Sequence, residues 1–210
     1  MAKQQFADRT YHHGALHDTL IQSAWEMIDL HGVESFTIVD AAQQAGVSKA
    51  APYRHFRDRD ALIDAVVDSG FEKLGAMVQE AVQSYETGSR EKIITGGLTY
   101  IRFFHQHPAF FDLMFRGASD EDTSTDHSTR PQCLQMHIDA VSAWCYRAGV
   151  PEDMVVDTAI KMWATVHGIV SLSLNSTLRR ACVETDIEEL LRSFSDTFLD
   201  GIEASCQLLE

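Results

Sequence analysis

The chain has 210 residues, of which 45% are hydrophobic and 23% charged, and its formal net charge is −14. This length and composition are those of a folded protein of one or two domains. No apolar run reaches the roughly 18 to 20 residues of a membrane-spanning helix, and the N-terminal stretch lacks the apolar core of a secretion signal. We therefore expect a cytoplasmic protein with no membrane partner.

Helical spacing of apolar residues recurs along the whole chain, and alternating β-branched runs are few. This pattern predicts an all-α fold of about nine helices. The predicted helices cover residues 15–32, 36–46, 49–55, 57–85, 89–107, 108–117, 132–149, 151–176 and 186–209. The segment 118–131 is polar and acidic and predicts a loop.

Residues at the ends of the first predicted helices suit those positions. Gly32 and Gly46 can take the left-handed backbone conformation that closes a helix. Thr37 precedes Asp40 by three residues, which is close to a capping box, and Asp58 can cap the helix that follows it. These signals support the boundaries of the first helices.

Two short predicted helices, 38–44 and 49–55, are joined by the turn AGVS at residues 45–48. This arrangement is typical of a helix-turn-helix, whose second helix enters the major groove of DNA. Pro52 stands inside that second helix. With Ser48 as N-cap, the missing N–H removes only the first helical hydrogen bond. We therefore predict a short helix with a strained or 3₁₀-like start, and Pro52 packed against the first helix rather than facing DNA.

The distribution of charge favours a nucleic-acid partner for the N-terminal part alone. Residues 1–60 carry 6 lysines and arginines against 8 acidic residues, whereas the remainder carries 11 against 23. A polyanion would meet the N-terminal part, and the acidic remainder would repel it. The basic cluster there comprises Lys49, Arg54, His55, Arg57 and Arg59.

Side-chain chemistry predicts separate roles along the recognition helix. Lys49 can reach a base edge or a phosphate, and the small side chains of Ala50 and Ala51 let the backbone sit deep in the groove. Tyr53 and His55 carry polar tips that suit phosphate oxygens. The residues predicted to contact DNA are Thr37, Ser48, Lys49, Ala50, Ala51, Tyr53, Arg54, His55 and Arg57.

These residues carry a family resemblance: residues 13–75 resemble the TetR family of bacterial transcriptional repressors. The matching stretch is TIVDAAQQAGVSKAAPYRHFRDRDALIDAVV, with a threonine cap, A-x-x-A-G-V-S, Y-x-H-F and R-D-A-L in order. YHHGAL (11–16) and WATVHG (163–168) look like a subfamily with a Trp-x-x-x-His-Gly signature in its C-terminal domain.

The resemblance implies a homodimer that releases a DNA operator when a small molecule binds. It implies a helix-turn-helix domain over 1–60, a connector helix over about 58–85, and a ligand-binding and dimerisation domain over 61–210. It matches Thr37, Tyr53 and His55 to phosphate contacts, and Lys49, Ala50 and Ala51 to base reading. The sequence departs from the family at Ala50, where glycine is common, and at Pro52, where an aliphatic residue is common.

Aromatic and sulfur-containing side chains in the C-terminal part predict an adaptable apolar pocket for a small apolar or amphipathic effector. Plain core packing is the alternative for each of them. Trp163 and His167 lie four residues apart and can together hold a polar group of a ligand. The predicted pocket residues are Phe103, Phe104, Phe111, Met114, Phe115, Met136, Trp144, Met162, Trp163 and His167.

The last two predicted helices, 151–176 and 186–209, are long and amphipathic. Paired with those of a second copy, they would form a four-helix bundle. A helix-turn-helix protein needs such a dimer to read the two halves of a palindromic operator, which lie about 34 Å apart.

Other chemistries find little support in the sequence. The cysteines are widely spaced, and the i, i+4 pairs His13–His17 and Cys133–His137 lack further ligands at zinc spacing, so we predict no metal site. The nucleophile, phosphate-loop and dinucleotide motifs are missing too, so we expect no cofactor, no catalytic residue and no enzyme. The alternative reading is a helical small-molecule-binding protein or enzyme whose helix-turn-helix contacts protein.

Overall fold

The structure is a computed structural model, and it describes residues 3–115, 129–175, 177–180 and 184–207. Across these ranges the chain forms α-helices and two 3₁₀ helices, η1 (Val33–Ser35) and η2 (Pro52–Arg54), and no strand. The α-helices are α1 (Lys3–His31), α2 (Ile38–Gln44), α3 (Arg59–Val82), α4 (Arg90–Gln106), α5 (Ala109–Phe115), α6 (Thr129–Arg147), α7 (Glu152–Leu174), α8 (Thr177–Arg180) and α9 (Ile187–Gln207). The all-α prediction is confirmed.

The predicted helix ends form as their residue types require. Gly32 and Gly46 have φ angles of 79° and 69°, in the left-handed region that glycine adopts without strain. The Thr37 hydroxyl accepts a hydrogen bond from the Asp40 backbone N–H at the start of α2. Asp58 Oδ1 accepts one from the Ala61 N–H at the start of α3, at 2.9 Å.

Two predicted boundaries are wrong, and one helix was not predicted. Helix α1 begins at Lys3 rather than at residue 15, because the glycine before Ala15 lowers helix propensity without ending a helix. Helix α6 begins at Thr129, inside the predicted loop 118–131, and the remainder of that loop lies outside the described residues. The single-turn helix α8 carries no apolar repeat that would have predicted it.

The chain divides into two compact units. Unit 1 contains the chain up to Gly70 together with α5, and unit 2 contains Phe71–Pro108 together with α6 to α9. The division falls inside α3, so one continuous helix supplies residues to both units. The predicted domains, 1–60 and 61–210, stay a prediction.

Unit 1 is built around α1, which packs against α2 and α5. The rings of Trp25 and Phe110 are stacked, with centroids 3.8 Å apart and an angle of 13° between the planes. A β-carbon on Gly70 would lie 3.0 Å from the Met114 sulfur and 3.1 Å from the Trp25 ring, so a larger residue there would require these side chains to shift. Burial of these aromatic rings stabilises the unit.

Unit 2 is a bundle in which α4 and α7 run parallel and α9 runs antiparallel to α4. The direction of α9 follows from two salt bridges, Arg102 to Glu188 near one end and Arg90 to Asp200 near the other. Between them, a β-carbon on Gly97 would lie 2.9 Å from Leu191, so glycine allows α4 and α9 to approach closely. A buried cluster fills this unit: Ile93, Val141, Trp144, Cys145, Val150, Val155, Ala159, Met162, Leu199 and Ile202.

Candidate DNA-binding surface and interior ligand site

The prediction that the recognition helix 49–55 is an α-helix is wrong. Only Pro52–Arg54 is helical, and it is a 3₁₀ helix. Three hydrogen bonds there span three residues, from Ala51 N–H to the Ser48 carbonyl, from Arg54 to Ala51, and from His55 to Pro52. Because Pro52 has no N–H, the Ser48 carbonyl is instead satisfied by Ala51, which tightens the segment into a 3₁₀ arrangement.

The side chains of this segment divide into an outward set and a buried set. Lys49, Tyr53 and Arg54 are exposed, with Tyr53 54% accessible to solvent. Pro52 and Phe56 are buried. The burial of Pro52 agrees with the predicted inward orientation, and its packing against the first helix stays a prediction. The structure thus presents three hydrogen-bonding side chains on a short turn supported by apolar residues.

Histidine rings brace the end of the segment against α1. The His17 ring is stacked on Phe56, with centroids 4.9 Å apart, and lies 6.0 Å from the His55 ring in an edge-on arrangement. His55 is half-buried, so it is less accessible than Tyr53 or Arg54. The structure therefore gives His55 a packing role, and its predicted phosphate contact stays a prediction.

Two neighbouring arginines of the predicted basic cluster behave differently. Arg59 donates from Nε to the Phe36 carbonyl at 2.9 Å and from Nη2 to the Val33 carbonyl, and so ties α3 to the η1 region. Arg57 is exposed, and its Nε lies 3.0 Å from a carboxylate oxygen of the adjacent Asp58. Arg59 therefore does not belong to the solvent-facing cluster, whereas Arg57 does.

The remaining predicted DNA contacts lie at the surface. Ser48 and Ala50 are exposed, and Ala51 is half-buried. Thr37 is exposed, but its hydroxyl also donates to Asp40 Oδ2 at 2.5 Å, so the acidic side chain of the capping box stands beside it. A phosphate at Thr37 would have to approach past this carboxylate.

In unit 2, a polar pair joins α4 to α7. Tyr100 Oη and His167 Nδ1 are 2.8 Å apart, and the rings of His167 and Trp163 have centroids 5.1 Å apart. Tyr100 is buried, and burial raises its pKa above its usual range, with Cys133 adding in the same direction. Burial lowers the pKa of His167. The pair is therefore neutral near pH 7, a state suited to hydrogen bonding rather than to ion pairing.

The sequence predicts no metal site at Cys133 and His137. In the structure, each of these side chains forms a hydrogen bond to a backbone carbonyl. His137 Nε2 donates to Ala159 at 2.9 Å, and Cys133 Sγ donates to Phe71 at 3.3 Å. Burial lowers the pKa of His137 and raises that of the Cys133 thiol to about 11. Both donor atoms are thus engaged with backbone carbonyls, and the thiol lacks the charge that favours metal binding.

The predicted pocket residues fall into separate groups. Phe111, Met114 and Phe115 lie on α5 in unit 1, and the other seven lie in unit 2. Trp144 and Met162 belong to the buried cluster of unit 2, which favours core packing for those two. Tyr100 was missed, because nothing in the sequence shows that its hydroxyl meets a histidine 67 residues later.

Two family models match the sequence. Residues 20–66 match bacterial regulatory proteins of the tetR family, and residues 93–198 match the tetracyclin repressor-like C-terminal domain. The chain belongs to the TetR family. It is a ligand-responsive, DNA-binding regulator of transcription rather than an enzyme. The family model does not address the Trp-x-x-x-His-Gly signature, which stays a prediction.

Solved structures share this fold over nearly the whole chain. A protein of unknown function from Rhodococcus sp. RHA1 is 29% identical, with a TM-score of 0.78 over 92% of this chain and 98% of that one. A TetR-family regulator from Streptomyces coelicolor is 16% identical, with a TM-score of 0.67 over 91% and 83%. A TetR variant from Acinetobacter baumannii AYE in complex with minocycline is 19% identical, with a TM-score of 0.59 over 90% and 97%.

None of the described helices combines the length and the apolar composition that crossing a bilayer requires.

Proposed function

We propose that this TetR-family chain is a cytoplasmic repressor that binds a palindromic operator as a homodimer and dissociates from it when a small amphipathic molecule binds unit 2. The observation that carries the proposal is the exposed turn with Lys49, Tyr53 and Arg54 over a buried Pro52 and Phe56. A surface meant for DNA needs such donors on a rigid support, because phosphate contacts set its position on the duplex.

The predicted contact residues of the proposed DNA surface differ in how accessible they are to solvent. Lys49 and Ala50 are exposed at the start of the turn and are assigned to base edges, together with the half-buried Ala51. Tyr53 and Arg54 are assigned to the phosphates beside the groove, and Arg57 adds charge. Thr37 and His55 make secondary contacts, because one stands beside Asp40 and the other packs on His17.

The proposed effector site lies in unit 2 around Tyr100, Trp163 and His167. Two neutral hydrogen-bonding groups among aromatic and sulfur-containing side chains suit a molecule with an apolar body and an uncharged polar group. The minocycline complex of the Acinetobacter baumannii TetR variant, which has the same fold, supports a small molecule as effector.

The proposed homodimer uses α7 and α9, which lie within the predicted segments 151–176 and 186–209. Both helices leave large aliphatic side chains accessible: Val156, Ile160 and Leu172 on α7, and Leu190 on α9. Contiguous accessible apolar surface marks protein-interaction sites, and we assign these side chains to the surface that a second copy covers.

Capture and sequencing of genomic fragments bound by the purified protein tests the proposal. We expect enrichment of a small set of fragments that share an inverted repeat. If no DNA fragment is enriched and a specific protein is captured instead, the result would favour a helix-turn-helix that contacts protein.

Two variants test the surface directly on the captured fragment. Lys49→Ala with Tyr53→Phe is expected to weaken binding and to lower the salt dependence by about one unit of slope for each phosphate that the variant no longer binds. The control is Lys161→Ala, which removes a positive charge from α7, where Lys161 pairs with Asp157. Equal affinity of the double variant and the control would contradict the proposed surface.

A further inference from the structure

The segment 48–56, which we call the recognition segment, depends on other elements for its position. Its helical part is η2, a 3₁₀ helix of three residues. Most helical stability in proteins comes from tertiary packing, and a single 3₁₀ turn has weak hydrogen-bond geometry of its own. The orientation of its exposed side chains therefore depends on what the segment packs against.

The ring of His17, on α1, lies against the buried side of the recognition segment. Phe56, at the end of the segment, is buried, and the His17 ring is stacked on it with centroids 4.9 Å apart and an angle of 23° between the planes. The His55 ring meets His17 edge-on, at 6.0 Å and 62°. His17 thus contacts the side chains that support the segment, whereas Lys49 and Tyr53 are exposed.

His17 is itself held in place by α1. It lies inside this helix, three residues before the fully buried Leu20. Asp18 Oδ1 lies 3.1 Å from His17 Nδ1 and can fix the orientation of the ring by accepting a hydrogen bond. Helix α1 also positions α2, because Glu26 accepts a hydrogen bond from Gln44 Nε2 at 2.7 Å. One helix therefore contacts both halves of the helix-turn-helix.

We propose that His17 is a positioning residue for sequence recognition. Through Phe56 and His55, it holds the recognition segment in the orientation at which Lys49 meets the base edges of the operator, and it does so without contacting DNA itself. This role rests on the proposed DNA surface and adds a residue of α1 to it.

The two parts of DNA affinity respond differently to a loosened segment. Non-specific binding is largely electrostatic and tolerates small displacements of the donors. Hydrogen bonds to base edges require donor–acceptor distances of about 2.7 to 3.2 Å, so they are lost first. A positioning residue therefore changes the ratio of operator affinity to non-specific affinity, whereas a phosphate contact changes both affinities together.

Two replacements of His17 separate its ring from its hydrogen-bonding capacity. His17→Gln keeps a polar group and removes the ring, so we expect about fivefold weaker binding to operator DNA and unchanged binding to non-specific DNA, within about twofold. His17→Phe keeps a ring to stack on Phe56, and both affinities should stay within about twofold of the parent. His31→Gln is the matched control, because it makes the same change at an exposed position at the end of α1.

The measurement is fluorescence anisotropy with the full-length chain. Each variant is titrated into a duplex from the captured genomic fragment and into a shuffled duplex of the same length, over a series of salt concentrations. Thermal unfolding followed by circular dichroism identifies a temperature at which every variant is folded.

Three outcomes would overturn the positioning role. Equal losses on both duplexes with a smaller salt slope would make His17 a phosphate contact. A lower unfolding midpoint of His17→Gln with an unchanged affinity ratio would make the ring a purely structural element. Equally weak operator binding by His17→Phe and His17→Gln would show that stacking on Phe56 does not carry the effect.

The same titrations distinguish this role from the proposed function. The variant Lys49→Ala with Tyr53→Phe should weaken binding to both duplexes, because it removes groups assigned to DNA itself. If that variant behaves as expected and His17→Gln matches the parent, the DNA surface stands and the role of His17 falls. A parent chain that binds both duplexes equally would overturn the proposed operator recognition and the role of His17 with it.

Discussion

The two units of the chain both bury an apolar core, but they differ in the polar side chains that they bury and in the side chains that they expose. Unit 1 buries apolar support such as Pro52 and Phe56 and exposes Lys49 and Tyr53 on a short turn. Unit 2 buries hydrogen-bonding groups such as Tyr100 and exposes aliphatic side chains on two long helices. A polar outer surface suits a charged, hydrated partner such as DNA, and an apolar one suits another protein copy. The same helical architecture therefore supports two kinds of recognition.

The largest expected effect tests the buried support of unit 1. Phe110→Ala removes a fully buried ring stacked on Trp25 and is expected to lower the free energy of unfolding by about 3 to 5 kcal/mol. Denaturant unfolding followed by fluorescence measures it. Phe115→Ala, at a half-buried position on the same helix, is the control and should cost less. Equal losses would show that Phe110 is not a principal support of the unit.

Arg59 and Arg57 of unit 1 are expected to affect different properties, Arg59 the stability of the fold and Arg57 the binding of DNA. Arg59→Ala removes two hydrogen bonds to backbone carbonyls and is expected to lower the free energy of unfolding by about 1.5 kcal/mol. Arg57→Ala should change stability by less than about 0.5 kcal/mol and weaken DNA binding. Unfolding and DNA-binding titrations on both variants measure the contrast. The reverse order of stabilities would contradict the assignment.

The buried polar pair of unit 2 predicts a smaller effect. Tyr100→Phe keeps the ring and removes the hydroxyl bonded to His167 Nδ1, so we expect a loss of about 1 kcal/mol in the free energy of unfolding. Tyr146→Phe is the matched control, because Tyr146 is exposed on α6. If both variants unfold alike, the hydrogen bond contributes nothing measurable to stability.

The smallest expected effect is a dependence of stability on pH. Burial lowers the pKa of His137 below its ordinary value of 6.5, so the folded chain keeps this imidazole neutral while the unfolded chain takes up a proton. The stabilisation is therefore present above pH 6.5 and decreases as the pH falls below it. Unfolding free energies at several pH values should fall toward acid, with a shallower fall in His137→Gln. An unchanged slope in that variant would contradict the buried, neutral state of His137.

Much of the fold follows from local sequence signals. Helices form where apolar residues recur at helical spacing. Thr37 begins a helix, and Gly32 and Gly46 lie at helix ends, as their residue types predict. These signals are local because caps and left-handed turns depend on a few neighbouring atoms. The predicted start of α1 was wrong, because a single glycine lowers helix propensity but does not by itself end a helix.

The recognition segment shows where local reasoning stops. The sequence predicted a short helix with a 3₁₀-like start at Pro52, and the whole helical part is 3₁₀. The missing N–H is a local property, but the conformation also depends on what the buried Pro52 and Phe56 pack against, which a sequence pattern cannot supply.

The sequence by itself determined the helical architecture, the position of the helix-turn-helix segment with its basic residues, and the family, since these depend on residue types at short spacing. Only the tertiary structure decided that Arg59 supports the backbone while Arg57 faces solvent, and that Tyr100 meets His167 across two helices. These features depend on contacts between residues far apart in sequence, and such contacts exist only once the helices have packed.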